Sequence, residues 1–356
     1  MTPHTIPLLQ VAGTYREVGE QIGDACTDTL QRAVAFEAEL PVGRSRDEQL
    51  ALADRYRAVT ADALPWVIEE LDGAAEAAGV DRLALFACSV EEIWYEPRAH
   101  GGPAIGGRCS DLVATPPATA DGHVLVAHNN DLSPRYRDEL VAIERRVPGD
   151  PTVLTIGNGI WISVGWNSAG LSLTGNELSP NDERMGIPRE LQVRAMLRDT
   201  SLDAMVGTAM RHDRASSYNN VLASSDGAVV DVEGSATAVE LIEPDERGHL
   251  IHTNHYVCDS MLRYEGDPAY AGRSGIRYAR ATELLDAEPD GAVTMDRLRE
   301  VLSDHEHAPD SLCRHETSER DGSVTCFWCV ADVTEMRIVF GRGNPCDSVE
   351  QEYVFA

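Results

Sequence analysis

The pattern of this chain changes at a glycine-rich segment that ends just before Cys109. Residues 99–107 contain four glycines and one proline and have neither helical nor strand periodicity. Before this segment, apolar residues recur mainly at helical spacing, and after it short runs of apolar and β-branched residues dominate. The change predicts a mainly helical segment over residues 1–108, followed by a strand-rich segment over residues 109–356, the two together forming one integrated domain.

Periodicity and turn residues predict the individual elements. The predicted helices are 15–30, 47–64, 66–78, 80–93, 188–197, 201–210, 273–285 and 294–303. The predicted strands are 109–114, 123–128, 152–157, 160–166, 170–175, 218–223, 228–233, 237–242, 249–253, 324–330 and 335–340. Because strands and helix pairs follow each other in blocks, an α+β fold with sheets packed face to face and helices outside them is expected. Gly19 and Gly23 would allow the first helix to approach a neighbour closely.

The composition excludes several classes of protein. The 356 residues carry a formal charge of -29, and all 30 basic residues are arginine. Without lysine, the chain cannot form a Schiff base, anchor pyridoxal phosphate or build a Walker phosphate loop. The acidity argues against nucleic acid or an anionic membrane as a partner. No cofactor is expected.

Two further features bear on localisation. No run approaches the roughly 18 apolar residues of a membrane span. The first residues lack the basic and apolar regions of a secretion signal. We therefore expect a cytoplasmic protein with reduced thiols.

Two segments are similar to metal-binding motifs, but each has a simpler interpretation. Cys326 and Cys329 form a single CxxC inside an apolar run, which favours buried strand cysteines over a zinc or redox site. The segment 304–307, Asp-His-Glu-His, is more simply explained as a polar helix end. We therefore expect no metal.

Cys109 lies where the first strand of the second segment begins. A turn over 115–122 separates this strand from the next, which leads into Asn129, Asn130 and Asp131. The two strands should pair antiparallel and place Asp131 on the same side as Cys109. A buried structural cysteine is the alternative interpretation. If the Arg108–Cys109 bond were cut, however, Cys109 would carry a free amine beside its thiol, as in enzymes whose terminal amine activates the nucleophile.

Polar clusters at the ends of apolar runs supply the other groups that an acyl-transfer site needs. Asp131 could orient the new amine, and the side-chain amide of Asn254 could donate to an oxyanion. Arg314 could hold a carboxylate of the protein or of the substrate. Asn130 and its neighbours could instead be ordinary turn residues, and Arg314 a solvated surface charge.

In this order, the clusters resemble the acyl-coenzyme A:6-aminopenicillanic acid acyltransferase family. The resemblance rests on seven segments: 13–19 with Gly23, Cys109-Ser110, 129–131, 166–171 with Asn176, 252–255, 304–314 and 341–346. It implies the four-layer αββα fold of N-terminal nucleophile hydrolases, with two stacked antiparallel sheets. It also implies a precursor that cuts itself into chains 1–108 and 109–356, which stay associated.

Carried over to this sequence, the resemblance implies catalytic roles for Cys109, Asp131, Asn254 and Arg314. It implies substrate contacts for Asn130, Asn176 and His255. The expected reaction is hydrolysis of a small N-acyl amide, or transfer of its acyl group to an amine, through an acyl-enzyme on Cys109. The expected partner is a small acyl amide or thioester, and a homo-oligomer is compatible with the sequence.

Two other functions stay open at this level. The chain could be an unprocessed, non-catalytic relative that binds a small ligand in the same pocket. Alternatively, it could be a metal-dependent hydrolase that uses His252, His255, His305 and His307.

Overall fold

The computed structural model describes residues 5–40, 43–95, 108–316 and 322–355. The glycine-rich boundary predicted at 99–107 lies outside these residues. The helices of the described residues are α1 (Tyr15–Ala25), α2 (Thr27–Glu39), α3 (Arg46–Ala63), α4 (Pro65–Ala78), α5 (Arg82–Ala87), α6 (Glu92–Tyr95), α7 (Arg189–Met196), α8 (Leu202–Ala209), α9 (Pro268–Asp286) and α10 (Met295–Leu302). The strands are β1 (Leu8–Ala12), β2 (Arg108–Ala114), β3 (Leu125–Leu132), β4 (Val141–Arg146), β5 (Val153–Gly157), β6 (Ile162–Asn167), β7 (Leu171–Asn176), β8 (Asn219–Ser224), β9 (Val229–Gly234), β10 (Val239–Ile242), β11 (His249–His252), β12 (Val324–Asp332), β13 (Arg337–Arg342) and β14 (Glu350–Val354).

The strands form two sheets. The eight-stranded sheet has the order β1-β4-β5-β6-β7-β8-β9-β10, and the six-stranded sheet has the order β11-β2-β3-β12-β13-β14. Neighbouring strands pair antiparallel except β1 and β4, which are parallel. The predicted pairing of the two strands around residues 109–128 is confirmed.

The sheets pack face to face with helices outside both. Their shared core includes Val113 and Val126 from the six-stranded sheet, and Leu154 and Trp166 from the eight-stranded sheet. The outer face of the six-stranded sheet packs on α9 and α10, and that of the eight-stranded sheet packs on α7 and α8. Alternation of apolar side chains along each strand produces these two cores. The predicted four-layer αββα arrangement is confirmed.

The N-terminal segment is built into this architecture. Its strand β1, which the sequence did not predict, forms an edge of the eight-stranded sheet. Helices α1 and α4 cross so closely that only glycine fits at position 19. A Cβ there would lie 1.9 Å from the backbone oxygen of Glu70. The predicted role of Gly19 and Gly23 in close helix packing is therefore confirmed. Among the described residues, no helix has the length and apolar character required to cross a bilayer.

Candidate active site

The register of β2 and β3 places four polar side chains on one face of the six-stranded sheet. Cys109 is opposite Asn130, and Asp111 is opposite His128. Because successive side chains point to opposite faces, all four lie on the inner face, on the side of Val113 and Val126. Buried polar groups normally have partners, and these four side chains contact one another. The sheet thus carries a polar cluster at one end of its otherwise apolar core.

Cys109 is held by three side chains in this uncut chain. Its backbone N–H donates to Asn254 Oδ1 at 2.8 Å, and its carbonyl oxygen accepts from Arg277 Nη1 at 2.6 Å. Its sulfur accepts from Asn130 Nδ2 at 3.4 Å. Asn130 Nδ2 also donates to Ser163 Oγ on β6 at 2.5 Å. Both the Cys109 sulfur and the backbone beside it therefore have defined positions.

His128 and Asp111 form a buried ion pair next to Cys109. His128 Nδ1 lies 2.9 Å from Asp111 Oδ1, and both side chains are fully buried. Burial opposes the positive charge of His128. The Asp111 carboxylate and Cys109 more than offset burial and raise the His128 pKa to about 10. At neutral pH the imidazole is therefore a cation that can stabilise negative charge on the neighbouring sulfur.

Arg277 on α9 lies at the centre of the hydrogen bonds around the Cys109 backbone. Besides the Cys109 carbonyl, it contacts Ser110 Oγ and Asn254 Oδ1, each at 2.7 Å. Asn254 donates its own Nδ2 to the carbonyl oxygen of Glu177 at 3.0 Å. The guanidinium thereby fixes the amide that holds the Cys109 nitrogen.

Asp131 and Arg314 lie behind this cluster, on the outer face of the sheet. The sequence placed Asp131 beyond the end of its strand and on the Cys109 side. In the structure β3 continues to Leu132, so the alternation of side chains directs Asp131 to the opposite face. There Thr325 Oγ1 donates to Asp131 Oδ1 at 2.8 Å, and Arg314 Nε lies 3.9 Å from Asp131 Oδ2. Burial raises the pKa of Asp131, and the nearby charge of Arg314 offsets it in part.

A cavity of about 110 Å³ opens between the two sheets and the N-terminal helices. Cys109, Asn130 and Ser163 form part of its polar wall. The apolar and aromatic residues that line it include Phe36, Leu132, Tyr136, Ile160, Trp161, Ile162 and Leu173. Such a mostly apolar pocket with a few polar groups at one end is typical of a small-molecule site.

The predicted substrate-binding residues occupy different places. Asn130 and Asn176 line the cavity, and Asn176 Oδ1 lies 3.1 Å from His252 Nδ1. His255 lies outside the cavity lining of the described residues, where its Nδ1 is 2.9 Å from Ser274 Oγ. Ser274 Oγ also accepts from the backbone N–H of Asn254 at 2.6 Å. His255 therefore supports the segment that carries Asn254.

The histidines of the metal-hydrolase alternative are not assembled into one site. His252 Nε2 lies 3.1 Å from Glu233 Oε1 in the protein interior, while His255 contacts Ser274. Of the four histidines, His305 alone belongs to a metal-like cluster of the described residues, and that cluster contains none of the other three. The CxxC cysteines, Cys326 and Cys329, are both fully buried in β12, as predicted.

Four residues around Cys109 were given no site role from the sequence, namely Asp111, His128, Ser163 and Arg277. His128 was assigned to the end of an apolar strand, just before the polar segment 129–131. Ser163 lies within another predicted strand, and Arg277 lies within a predicted helix. The sequence does contain one signal for His128. His128 and Asn130 are two residues apart, as are Cys109 and Asp111, so each pair lies on one face of its strand. That spacing becomes informative only once the strand register is known.

Comparison with known proteins places this chain in a family. Residues 118–345 match the family described as acyl-coenzyme A:6-aminopenicillanic acid acyl-transferase, a stretch that includes Asp131, Asn254 and Arg314. The matched residues are more than half of the chain, so the chain belongs to this family. The predicted enzyme class is thereby confirmed: an amidohydrolase or acyltransferase acting on carbon–nitrogen bonds other than peptide bonds. No curated protein matches the sequence significantly.

Solved structures of hydrolases are also similar to this chain. A mutant of conjugated bile acid hydrolase from Clostridium perfringens is 11% identical, with a TM-score of 0.45, over 70% of this chain and 97% of that chain. A second variant of the same hydrolase is 12% identical, with a TM-score of 0.47 and the same coverage of both chains. Penicillin V acylase from Agrobacterium tumefaciens is 12% identical, with a TM-score of 0.43, over 69% of this chain and 86% of that chain.

Proposed function

We propose that this chain is a self-processing cysteine enzyme that hydrolyses a small N-acyl amide, or transfers its acyl group to an amine, through an acyl-enzyme on Cys109. One observation carries the proposal. The Cys109 thiol faces a mostly apolar cavity beside the Asn130 amide, while the Cys109 nitrogen is held by Asn254 Oδ1 at 2.8 Å. Nucleophile, hydrogen-bond donor and future terminal amine are therefore grouped at one end of a ligand-sized space.

Self-processing begins with attack of the Cys109 sulfur on the carbonyl carbon of Arg108. The C–N bond breaks as the nitrogen takes a proton, which leaves a thioester between Arg108 and the Cys109 side chain. Water then hydrolyses the thioester and releases Arg108 as a new carboxylate. Cys109 is left with a free thiol and a free α-amine, and both chains stay associated through the shared sheet and cores.

The hydrogen bonds of the uncut chain suit the amine that this step creates. Asn254 Oδ1, which accepts the amide N–H of Cys109, would accept a hydrogen of the amine in the same place. Arg277 lies 2.7 Å from that oxygen and 2.6 Å from the Cys109 carbonyl oxygen. A fixed positive charge disfavours protonation of the amine, whose ordinary pKa is roughly 8, and so keeps it available as a base.

In turnover, the Cys109 amine takes the thiol proton and the sulfur attacks the acyl carbonyl of the substrate. The tetrahedral intermediate collapses with expulsion of the leaving amine, which receives the proton held by the Cys109 ammonium. Water, or an acceptor amine, then gives a proton to the Cys109 amine as it attacks the thioester. The acyl group leaves as an acid or a new amide, and the thiol is restored.

Asn130 is better placed than Asn254 to stabilise the oxyanion. The Nδ2 atom of Asn130 lies 3.4 Å from the Cys109 sulfur and can donate to an oxyanion formed there. In Asn254, by contrast, Nδ2 donates to the carbonyl oxygen of Glu177, and Oδ1 accepts from the Cys109 N–H. One such donor contributes roughly 3 kcal/mol to stabilising the transition state. The His128 cation adds charge stabilisation on the same face.

The cavity wall indicates an apolar acyl group. Aromatic and aliphatic side chains such as Tyr136, Trp161 and Leu173 surround the space in front of Cys109. Burying an acyl chain there gains roughly 0.8 kcal/mol per methylene group. We therefore expect kcat/KM to rise about fourfold per methylene along a short series of linear acyl amides until the cavity is full.

The experiment is a panel of N-acyl amides of increasing acyl length, assayed with the wild type, Cys109→Ala and Leu173→Trp. The wild type should hydrolyse at least one member, and the cysteine variant none. Leu173→Trp narrows the cavity and should shift the preferred acyl group to a shorter one. Equal turnover by the wild type and Cys109→Ala would refute the proposal.

A further inference from the structure

Four potential metal ligands converge on the outer side of the six-stranded sheet, away from the cavity. They are His305, Cys313, His315 and Cys346, and one ligand atom from each lies within 4.8 Å of the others. His305 follows α10, Cys313 and His315 belong to the segment before β12, and Cys346 lies in the turn between β13 and β14. The neighbouring segments around His305 and Cys313 thus share one cluster with Cys346, which lies 33 residues beyond Cys313.

The distances within the cluster are close to those of a tetrahedral zinc site. The sulfurs of Cys313 and Cys346 are 3.7 Å apart, and the Nε2 atoms of His305 and His315 are 3.0 Å apart. His315 Nε2 lies 3.6 Å from the Cys313 sulfur and 3.4 Å from the Cys346 sulfur. Four ligands at ordinary Zn–S and Zn–N lengths would be separated by about 3.8 Å (S–S), 3.6 Å (S–N) and 3.3 Å (N–N).

The remaining adjustment falls on an exposed side chain. The distances from His305 Nε2 to the two sulfurs are at most 4.8 Å, so closing the tetrahedron draws His305 inward by no more than about 1 Å. His305 and Cys346 are exposed, whereas Cys313 is buried. The site can therefore be reached from solvent and yet is fixed to the interior by one ligand.

The buried sulfur has the outer-shell partner that metal-binding sulfurs usually have. Asn344 Nδ2 lies 3.4 Å from the Cys313 sulfur and also donates to the Arg314 carbonyl oxygen at 2.8 Å. The backbone N–H of Cys313 donates to the Asp304 carbonyl oxygen at 2.9 Å. These bonds join the three segments of the cluster even before a metal is considered.

The other metal-like groups of the described residues are of a different kind. Each consists of one histidine and two aspartates, and the groups are Asp121, His123 and Asp332, and Asp245, His249 and Asp286. The ion pair of His123 with Asp332 at 2.8 Å accounts for the first of them without a metal. Of these groups, only the cluster around Cys313 combines two thiols with two imidazoles, the ligand set that zinc prefers in structural sites.

We propose that His305, Cys313, His315 and Cys346 bind one Zn²⁺ ion in a closed, structural Cys₂His₂ site. With four protein ligands, the metal has no open position for water or substrate, which separates this role from catalysis. Binding would join the segment after α10 to the β13–β14 turn. This departs from the sequence-based expectation of no metal, which considered His305 but not Cys313, His315 or Cys346 as its partners.

The zinc site would also fix one of the residues behind Cys109. Arg314 stands between the ligands Cys313 and His315, and its Nε lies 3.9 Å from Asp131 Oδ2. Asn129 Nδ2 donates to the carbonyl oxygen of Leu312 at 3.0 Å. The segment that the metal holds is thus attached to β3, the strand that carries Asn130.

The test is metal analysis of the full-length protein, purified under reducing conditions without a histidine tag. The wild type is expected to contain about one zinc per chain, or to take up one Co²⁺ per chain with the absorption of a tetrahedral thiolate site. Cys346→Ser should weaken binding by more than the roughly 10–100-fold that loss of an outer-shell partner causes. Because Cys346 is exposed, this variant should still fold, which its circular dichroism checks.

Two controls make the result specific. His307→Asn alters a neighbouring exposed histidine outside the cluster, and asparagine tolerates its φ of 69°. This variant should retain metal, as should Cys109→Ala, so the zinc proposal is tested independently of the proposed reaction. Failure of the reduced wild type to bind stoichiometric Zn²⁺ or Co²⁺, or equal binding by folded Cys346→Ser, would overturn the proposal.

Discussion

His128 Nδ1 lies 2.9 Å from Asp111 Oδ1, and this buried pair stands on the same sheet face as the Cys109 sulfur. The pair is neutral overall, but it keeps a positively charged imidazole beside the Cys109 sulfur at neutral pH, because Asp111 and Cys109 raise the pKa of His128 in spite of its burial. In the proposed mechanism, the Cys109 nucleophile thereby gains a charged neighbour in addition to its own terminal amine.

Asp111→Asn should remove this charge with little change in shape. Without the carboxylate, Cys109 alone opposes the effect of burial, and the His128 pKa should fall from about 10 towards its ordinary value of about 6.5. We expect kcat/KM at pH 8 to drop by about 10²-fold. The wild-type pH profile should show a loss of activity near pH 10 that the variant lacks.

Asp121→Asn, which changes an exposed carboxylate, is the control for this experiment and should behave as the wild type. An unchanged rate together with an unchanged pH profile in Asp111→Asn would show that the ion pair has only a structural role.

Asn129 and Asn130 offer a matched pair of substitutions on opposite faces of β3. Asn130→Ala removes the donor beside the Cys109 sulfur, so turnover should fall by about 10²–10³-fold with a small change in stability. Asn129→Ala leaves the carbonyl oxygens of Leu302 and Leu312 without their donor, which should lower the free energy of unfolding by about 1–3 kcal/mol. Urea denaturation and steady-state kinetics of both variants check the contrast, and a reversed pattern would be incompatible with the site.

Arg277→Lys should impair self-processing although it keeps the positive charge. One ammonium group cannot reproduce the guanidinium fork that reaches the Cys109 carbonyl, Ser110 Oγ and Asn254 Oδ1. We expect uncut chain to accumulate in a time course of freshly expressed protein. Arg263→Lys, an exposed arginine outside the site, should process normally, and normal processing of Arg277→Lys would contradict the role given to this side chain.

Glu92 should make the protein less stable as the pH rises. Burial, only partly offset by Arg189, raises the pKa of this carboxyl to about 7. The folded state therefore binds a proton that the unfolded state has lost, and stability falls between about pH 4.5 and pH 7. The slope contributed by one group is at most about 1.4 kcal/mol per pH unit.

Glu92→Gln keeps an oxygen to accept the backbone N–H of Arg189 but does not titrate. Measured in the uncut Cys109→Ala background, the free energy of unfolding of this variant should decline less between pH 5 and pH 7. If the free energy of unfolding declined equally with pH in the Glu92→Gln variant and in its Cys109→Ala parent, the raised pKa of Glu92 would be refuted.

The sequence predicted most of the fold because its periodic segments are long and bounded by turn residues. The strands it missed include β4 and β14, whose charged residues hide the apolar alternation. The site was predicted less completely, since side chains meet there through strand register and helix packing. Asp131 was misplaced because the strand was predicted to end at residue 128, whereas β3 continues for four more residues, to Leu132.

Whether Cys109 becomes a new chain terminus is tested most directly by the intact mass of the purified wild type beside that of Cys109→Ala. The account predicts two wild-type fragments, residues 1–108 and residues 109–356 beginning with Cys109, and a single full-length chain for the variant. A wild type that stays one stable, inactive chain would contradict the account and favour a non-catalytic ligand-binding protein.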